Sequence, residues 1–199
     1  MMTAKTIRSI TKYCSDILRN DKCKNLPFHN FAHTQEVLNN VLLLSDAIGL
    51  SAKERDCIVI AACFHDTGFS ETYIGHEEVS KKLASQYMVK VNCTKSEIDR
   101  VSSYIDATKM PQNPRDIYSG VLCDADLFHL GTTNFLYRNL LLRKEWELFC
   151  DLKMSDEEWE MLNIKFLENH RFKTNYGKKV LEQGKQENLI KLKQLIRLK

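Results

Sequence analysis

The chain has 199 residues, 43% of them apolar and 28% charged, with a formal net charge of +3; a chain of this size buries roughly 70% of the surface its unfolded form exposes. Those values exclude a disordered tail, a disulfide-stapled miniprotein and a chain that needs a metal merely to stay folded. The longest apolar run, Cys57 to Phe64, is far shorter than the ~20 residues of a membrane-spanning helix. Met1–Ile10 carries Lys5 and Arg8 with no apolar segment behind them and does not read as a secretory signal. The expectation is a cytoplasmic protein without a membrane partner, whose seven cysteines (14, 23, 57, 63, 93, 123 and 150), none in a CxxC pair, stay reduced.

Seven glycines and three prolines interrupt the chain, and apolar residues recur at three- and four-residue spacing. This pattern predicts an all-α, single-domain helical bundle over 1–199, with helices at about 3–20, 31–48, 52–66, 75–90, 95–107, 115–130, 132–150, 156–170 and 174–197. In the second helix, Val37, Val41, Leu44 and Ile48 continue the face that His33 begins, with Asn30 as N-cap and Gly49 as stop. The third helix, apolar on most of its circumference, ends in His65 and Asp66, with Gly68 placed to terminate it. A loop around Pro111 and Pro114 precedes a helix in which Leu122, Asp126 and Leu130 share one face. The last segment, Ile164 to Lys199, holds ten Lys or Arg against three acids, a solvated helix face or an attraction toward anions. It lacks the aromatic–basic interleaving that stacks bases, so no nucleic-acid partner is expected.

His33, His65, Asp66 and Asp126 all stand where core-facing apolar residues belong, and each needs a partner there. Two imidazoles and two carboxylates form a nitrogen and oxygen ligand set suited to a divalent ion such as Mn, Mg, Zn, Fe, Co or Ni. Adjacent helical residues point about 100° apart, so His65 and Asp66 share one ion only over a helix end. Asp124 diverges from Asp126 by about 200° and is left to cap or to support a histidine. His76 and Glu77 near a helix start, Lys109 in the proline loop, and His170 beside Arg171 and Lys173 are further substrate or supporting candidates, each with a purely solvated alternative.

The order His, then His-Asp, then a distant Asp resembles the HD-domain superfamily of metal-dependent phosphohydrolases, through the segments FHNFAHTQEV, FHDTG, GHE and DADL. The resemblance runs from Phe28 to about Leu130 and implies an HD-type metal-site core at about 28–130, with C-terminal helices at about 132–197 packed on it. It implies metal ligation by His33, His65, Asp66 and Asp126. FHNFAH is similar to the Tyr-His-Asn-x-x-His motif of cyclic-nucleotide phosphodiesterases, with Phe28 for the tyrosine and Phe69 where a further histidine stands. That similarity implies His29 as general acid and His33 as ligand; in a site of this kind Asp66 can assist as base while ligating the ion. TKMPQNP, DADLFHLG and FLENHRFKTNYG look like an uncharacterised bacterial group of predicted phosphohydrolases. The implied function is hydrolysis of a small, nucleotide-like phosphate monoester or diester, with a homodimer also considered. The alternatives are a non-catalytic nucleotide-binding regulatory module and a di-iron HD oxygenase; the latter needs two histidines between Asp66 and Asp126, and this chain has one, His76.

Overall fold

Side-chain caps fix most of the helix starts. Ser51, Thr94, Asp116 and Ser155 each pair with the residue three positions on, Glu54, Glu97, Ser119 and Glu158, in reciprocal capping boxes. Asn30 accepts from the N–H groups of Ala32 and His33. The computed structural model describes residues 3–20 and 22–197; the ends of the expected 1–199 domain lie outside the described residues. Among these it is all-α: α1 (Ala4–Leu18), α2 (Phe31–Ala47), α3 (Ala52–Phe64), α4 (His76–Lys90), α5 (Lys95–Thr108), α6 (Ile117–Asp126), α7 (Phe135–Phe149), α8 (Asp156–Asn169) and α9 (Glu182–Arg197), joined by short 3₁₀ turns and one π-turn. No described helix is long and apolar enough to cross a membrane, and all seven cysteines are free.

Helices α1 to α6 enclose the main core, with Val37, Val41, Ile58, Ala61, Phe64, Met88, Val101 and Leu122 buried in it. α3 lies at its centre, touching α1, α2, α4, α5 and α6, as its all-round apolar surface requires. A second cluster, Leu130, Phe135, Leu167, Phe172, Leu181 and Leu192, joins the C-terminal helices. Phe128 and Tyr176 pack against both clusters.

Three of the displaced boundaries fall where another element approaches closely. The helix expected over 115–130 stops at Asp126, and Phe128–Gly131 forms a separate 3₁₀ turn. A Cβ at Gly131 would strike the backbone of Leu181, so this turn makes room for the C-terminal helix. Leu130 therefore does not share a helical face with Leu122 and Asp126. The helix expected over 174–197 contains a π-turn at Gly177–Leu181 before α9, and a Cβ at Gly177 would collide with the Asp124 carboxylate. Finally, α3 stops at Phe64, with His65 as its C-cap. Gly68 does not terminate it but sits in the following turn, Thr67–Ser70, where a Cβ would run into the His76 carbonyl of α4.

Candidate metal centre

The ends of α2, α3 and α6 converge on one point. His33 is in the first turn of α2, His65 caps α3, Asp66 lies one residue beyond, and Asp126 closes α6. Because α3 has already ended, the chain turns between His65 and Asp66, and the two side chains face the same space despite their adjacency. His65 Nε2 is 3.1 Å from Asp66 Oδ2 and 3.8 Å from Asp126 Oδ1. His33 Nε2 is 3.1 Å from Asp126 Oδ1 and 3.5 Å from Asp66 Oδ2. Donor atoms of His33, His65 and Asp66 lie within 4.8 Å of one another and can hold a metal ion. Asp126 stands outside that mutual set and meets it through the two imidazoles; its side chain is 18% exposed, against 4% for Asp66.

The electrostatics favour a cation. Burial by itself depresses His65, but the Asp66 carboxylate beside it, with Asp126 behind, lifts the imidazole to about 9. Burial pushes Asp66 upward, yet His65, His29 and His33 hold it far below the ordinary carboxylate range. The His65 Nδ1–H donates to the Ala62 carbonyl at 2.8 Å, which leaves Nε2 aimed into the cluster. That Nε2 and Asp66 Oδ2 are buried and make no hydrogen bond with acceptable geometry. Orphaned buried groups cost about 1–3 kcal/mol each, and a divalent ion satisfies both. The donor set therefore fits the divalent metal expected from the sequence.

The other expected residues divide clearly. His76 is at the cluster's edge, its Nε2 3.6 Å from Asp66 Oδ1 and its ring stacked on Phe69 at 3.8 Å. Glu77 meets the cluster through His76 Nδ1, at 3.7 Å. Asp124 supports no histidine. It is buried and accepts from the N–H groups of Lys173 and Thr174 and from the Thr174 hydroxyl, capping the C-terminal segment. Lys109 is exposed at the C-cap of α5 with Asp106 as its charged neighbour, and no contact joins it to the cluster among the described residues.

His170 packs instead in the C-terminal layer, its ring 4.6 Å from that of Phe172, with neither ring nitrogen hydrogen-bonded. Burial, and then Lys185 and Lys173, hold its pKa down to about 4. An unfolded histidine titrates near 6.5, so the unfolded chain binds the proton first and stability falls as pH drops from about 6.5 toward 4. Urea denaturation at pH 7 and pH 5 is expected to show about 2 kcal/mol of loss from this group. His170→Leu removes that share of the slope; identical slopes in the two proteins would count against it.

Four residues of the neighbourhood have no counterpart among the expected ones. Glu145 of α7, fully buried, accepts through Oε2 from the Phe28 and His29 N–H groups at 2.7 and 2.9 Å. Its Oε1 meets His29 Nδ1 at 2.5 Å and the Tyr73 hydroxyl at 2.8 Å. Burial opposes protonation of His29, but the Glu145 bond prevails and its pKa is raised. Arg138, two turns earlier on α7, donates from Nη2 to His33 Nδ1 at 3.0 Å. His129 lies 5.4 Å from the Phe28 ring, and burial drives its pKa to about 3. The one signal in the sequence for the α7 pair is its spacing: Arg138 and Glu145, seven residues apart, share a helical face. The site thus draws on residues beyond the 28–130 core.

No family model and no curated protein matches the chain. Solved structures do. A predicted HD superfamily hydrolase from an uncultured Thermotogales bacterium superposes with a TM-score of 0.64 at 17% identity, over 96% of this chain and 91% of that one. A protein from Lactobacillus plantarum superposes over 100% of both chains with a TM-score of 0.71 at 16% identity. These likenesses establish the HD-type all-α fold.

Proposed function

We propose that this chain, having the HD-type helical fold, is a divalent-metal-dependent phosphohydrolase acting on a small, nucleotide-like phosphate monoester or diester. The observation that carries the reading is the buried, unsatisfied pair His65 Nε2 and Asp66 Oδ2 within 4.8 Å of a donor atom of His33. His33, His65, Asp66 and Asp126 would hold the ion. Bound in such a set, a divalent ion supplies Lewis acidity toward water and a phosphoryl oxygen.

The chain's own residues supply the proton chemistry. As water adds to phosphorus and the ester P–O bond breaks, the departing oxygen needs a proton. His29 is placed to give it: Glu145 holds Nδ1 and keeps the ring protonated, leaving Nε2 as the donating position. Glu145 stays anionic throughout, orienting the ring as it passes from imidazolium to imidazole. Asp66 Oδ1, facing His76 Nε2 at 3.6 Å, is positioned to take a proton from the entering water. Phe69, between the stacked rings of His29 and His76, keeps both histidines at the same edge of the cluster.

Protein purified without chelator is expected to carry one or two divalent ions per chain and to turn over a member of a panel comprising a chromogenic phosphodiester, a phosphomonoester and nucleotides with added Mn. Chelation should remove the activity and Mn should restore it. Metal-free protein that still hydrolysed the panel, or metal-loaded protein inert to all of it, would defeat the reading.

A further inference from the structure

The basic C-terminal segment forms a cleft of its own. It lies between α8 and α9 and holds about 670 Å³, within the roughly 300–1,000 Å³ of small-molecule sites. Phe172 and Leu189, both buried, contribute its apolar floor, and Glu168, Arg171, Lys178 and Glu182 stand around them. None of these residues belongs to the metal cluster.

The charges in this cleft do not cancel. Each acid is already met by a lysine from outside the lining, with Lys193 Nζ 2.5 Å from Glu168 Oε1 and Lys185 Nζ 3.0 Å from Glu182 Oε1. The two cations have no such partner: among the described residues, neither Arg171 nor Lys178 makes an ion pair. Arg171 is held by one nitrogen, Nη1, which donates to the Glu168 and His170 carbonyls at 2.5 and 2.8 Å. Its Nε and Nη2 make no hydrogen bond among the described residues, and that edge of a guanidinium matches two oxygens of an oxyanion. The chain between the two cations is anchored to α6. Asp124 accepts from the N–H groups of Lys173 and Thr174 and from the Thr174 hydroxyl, and Thr174 Oγ1 accepts the Gly177 N–H at 2.9 Å. The backbone that carries both cations is therefore set before a ligand arrives, which lowers the entropy lost on binding.

We propose that this cleft is a second ligand site, for a small organic phosphate. The phosphoryl dianion meets the free edge of Arg171 and the Lys178 ammonium, and the organic part covers Phe172 and Leu189. The test is titration of the ¹⁵N-labelled full chain with phenylphosphonate, whose C–P bond is not the ester bond a phosphohydrolase cleaves, followed through backbone amide shifts. Saturable shifts are expected at Arg171, Phe172, Lys178 and Leu189. Arg171→Gln should weaken binding about tenfold, the loss of one charge-assisted contact. Lys178→Gln, at an exposed position where folding is not at stake, should do the same. Lys191→Gln removes an exposed cation of α9 outside the cleft and should leave the affinity unchanged. Inorganic phosphate, with no ring to cover the apolar floor, should bind several-fold more weakly. Absence of saturable shifts at these amides, or shifts confined to the surroundings of His33 and His65, would overturn the proposal. Equal weakening by Lys191→Gln would also overturn it, by showing diffuse attraction to the net charge of the segment, and inorganic phosphate binding as tightly as phenylphosphonate would overturn the assignment to an organic phosphate. Each of these outcomes leaves the metal-dependent reading standing.

Discussion

Replacing Asp66 by alanine is expected to strip the metal from the protein and lower turnover by at least about 10³-fold, since a catalytic ion contributes several kcal/mol at about 1.4 kcal/mol per decade. Asp66 faces three imidazoles, with His33 and His65 within 3.5 Å of Oδ2 and His76 3.6 Å from Oδ1. Its removal also leaves His65 without the charge that lifts its pKa. Helical content should be largely retained, because Asp66 lies beyond the end of α3 and, at the N-cap of the short Thr67–Ser70 turn, makes no capping hydrogen bond with its side chain. Asp66→Asn, nearly isosteric, separates charge from packing and should lose metal equally. Elemental analysis, circular dichroism and turnover on one preparation decide the matter: full activity in Asp66→Ala would sink the site assignment.

Glu145→Gln should have a different signature, loss of rate with metal retained. Among the described residues Glu145 makes no contact with the four expected ligands, yet it accepts from His29 twice, at the ring and the backbone, and once each from the Phe28 N–H and the Tyr73 hydroxyl. An amide in its place presents an NH₂ toward some of those donors and removes the negative charge that raises the His29 pKa. Turnover is expected to fall about 10²-fold, the lower range for losing a positioned general acid. The direction of the pH effect follows from the same shift. His29 must be protonated to donate, so activity declines as pH rises through its pKa; without Glu145 that decline moves to lower pH. A profile whose alkaline limb stayed in place, or a variant that lost its metal, would show that Glu145 serves the fold or the ion rather than His29.

Much of the cluster is legible in the sequence because its members break a local pattern. His33 starts an apolar face, and His65 and Asp66 end the most apolar helix; a polar group on such a face is visible without coordinates. Asp124 and Asp126 are equally conspicuous in Asp-Ala-Asp, and what separates them is the destination of each side chain: Asp124 meets the backbone of Lys173 and Thr174, about fifty residues on. His170 and Lys109 show the converse. Both are chemically plausible phosphate contacts, but one is enclosed in the C-terminal cluster and the other ends α5 in solvent.

Helix α7 marks the boundary between the two kinds of knowledge. Periodicity identifies it as a helix, and local capping and spacing do the same for the other eight, since helix formation depends on neighbours within a few residues. Which face turns inward is another matter. Leu136, Tyr137, Leu140, Leu148 and Phe149 of α7 are exposed, while Arg138 and Glu145 are buried. Hydrophobicity alone predicts the reverse, because burying a charge costs free energy and leaving a leucine exposed forfeits what its burial would contribute. The inversion holds because Glu145 finds four donors and Arg138 finds an imidazole and an aromatic face, partners more than a hundred residues away in sequence for all but Tyr73. The all-α class, the caps, and the His and Asp positions that interrupt apolar faces follow from local sequence; which distant charges compensate one another follows from the fold, because the desolvation cost of a buried ion is offset by groups that the chain brings together in space.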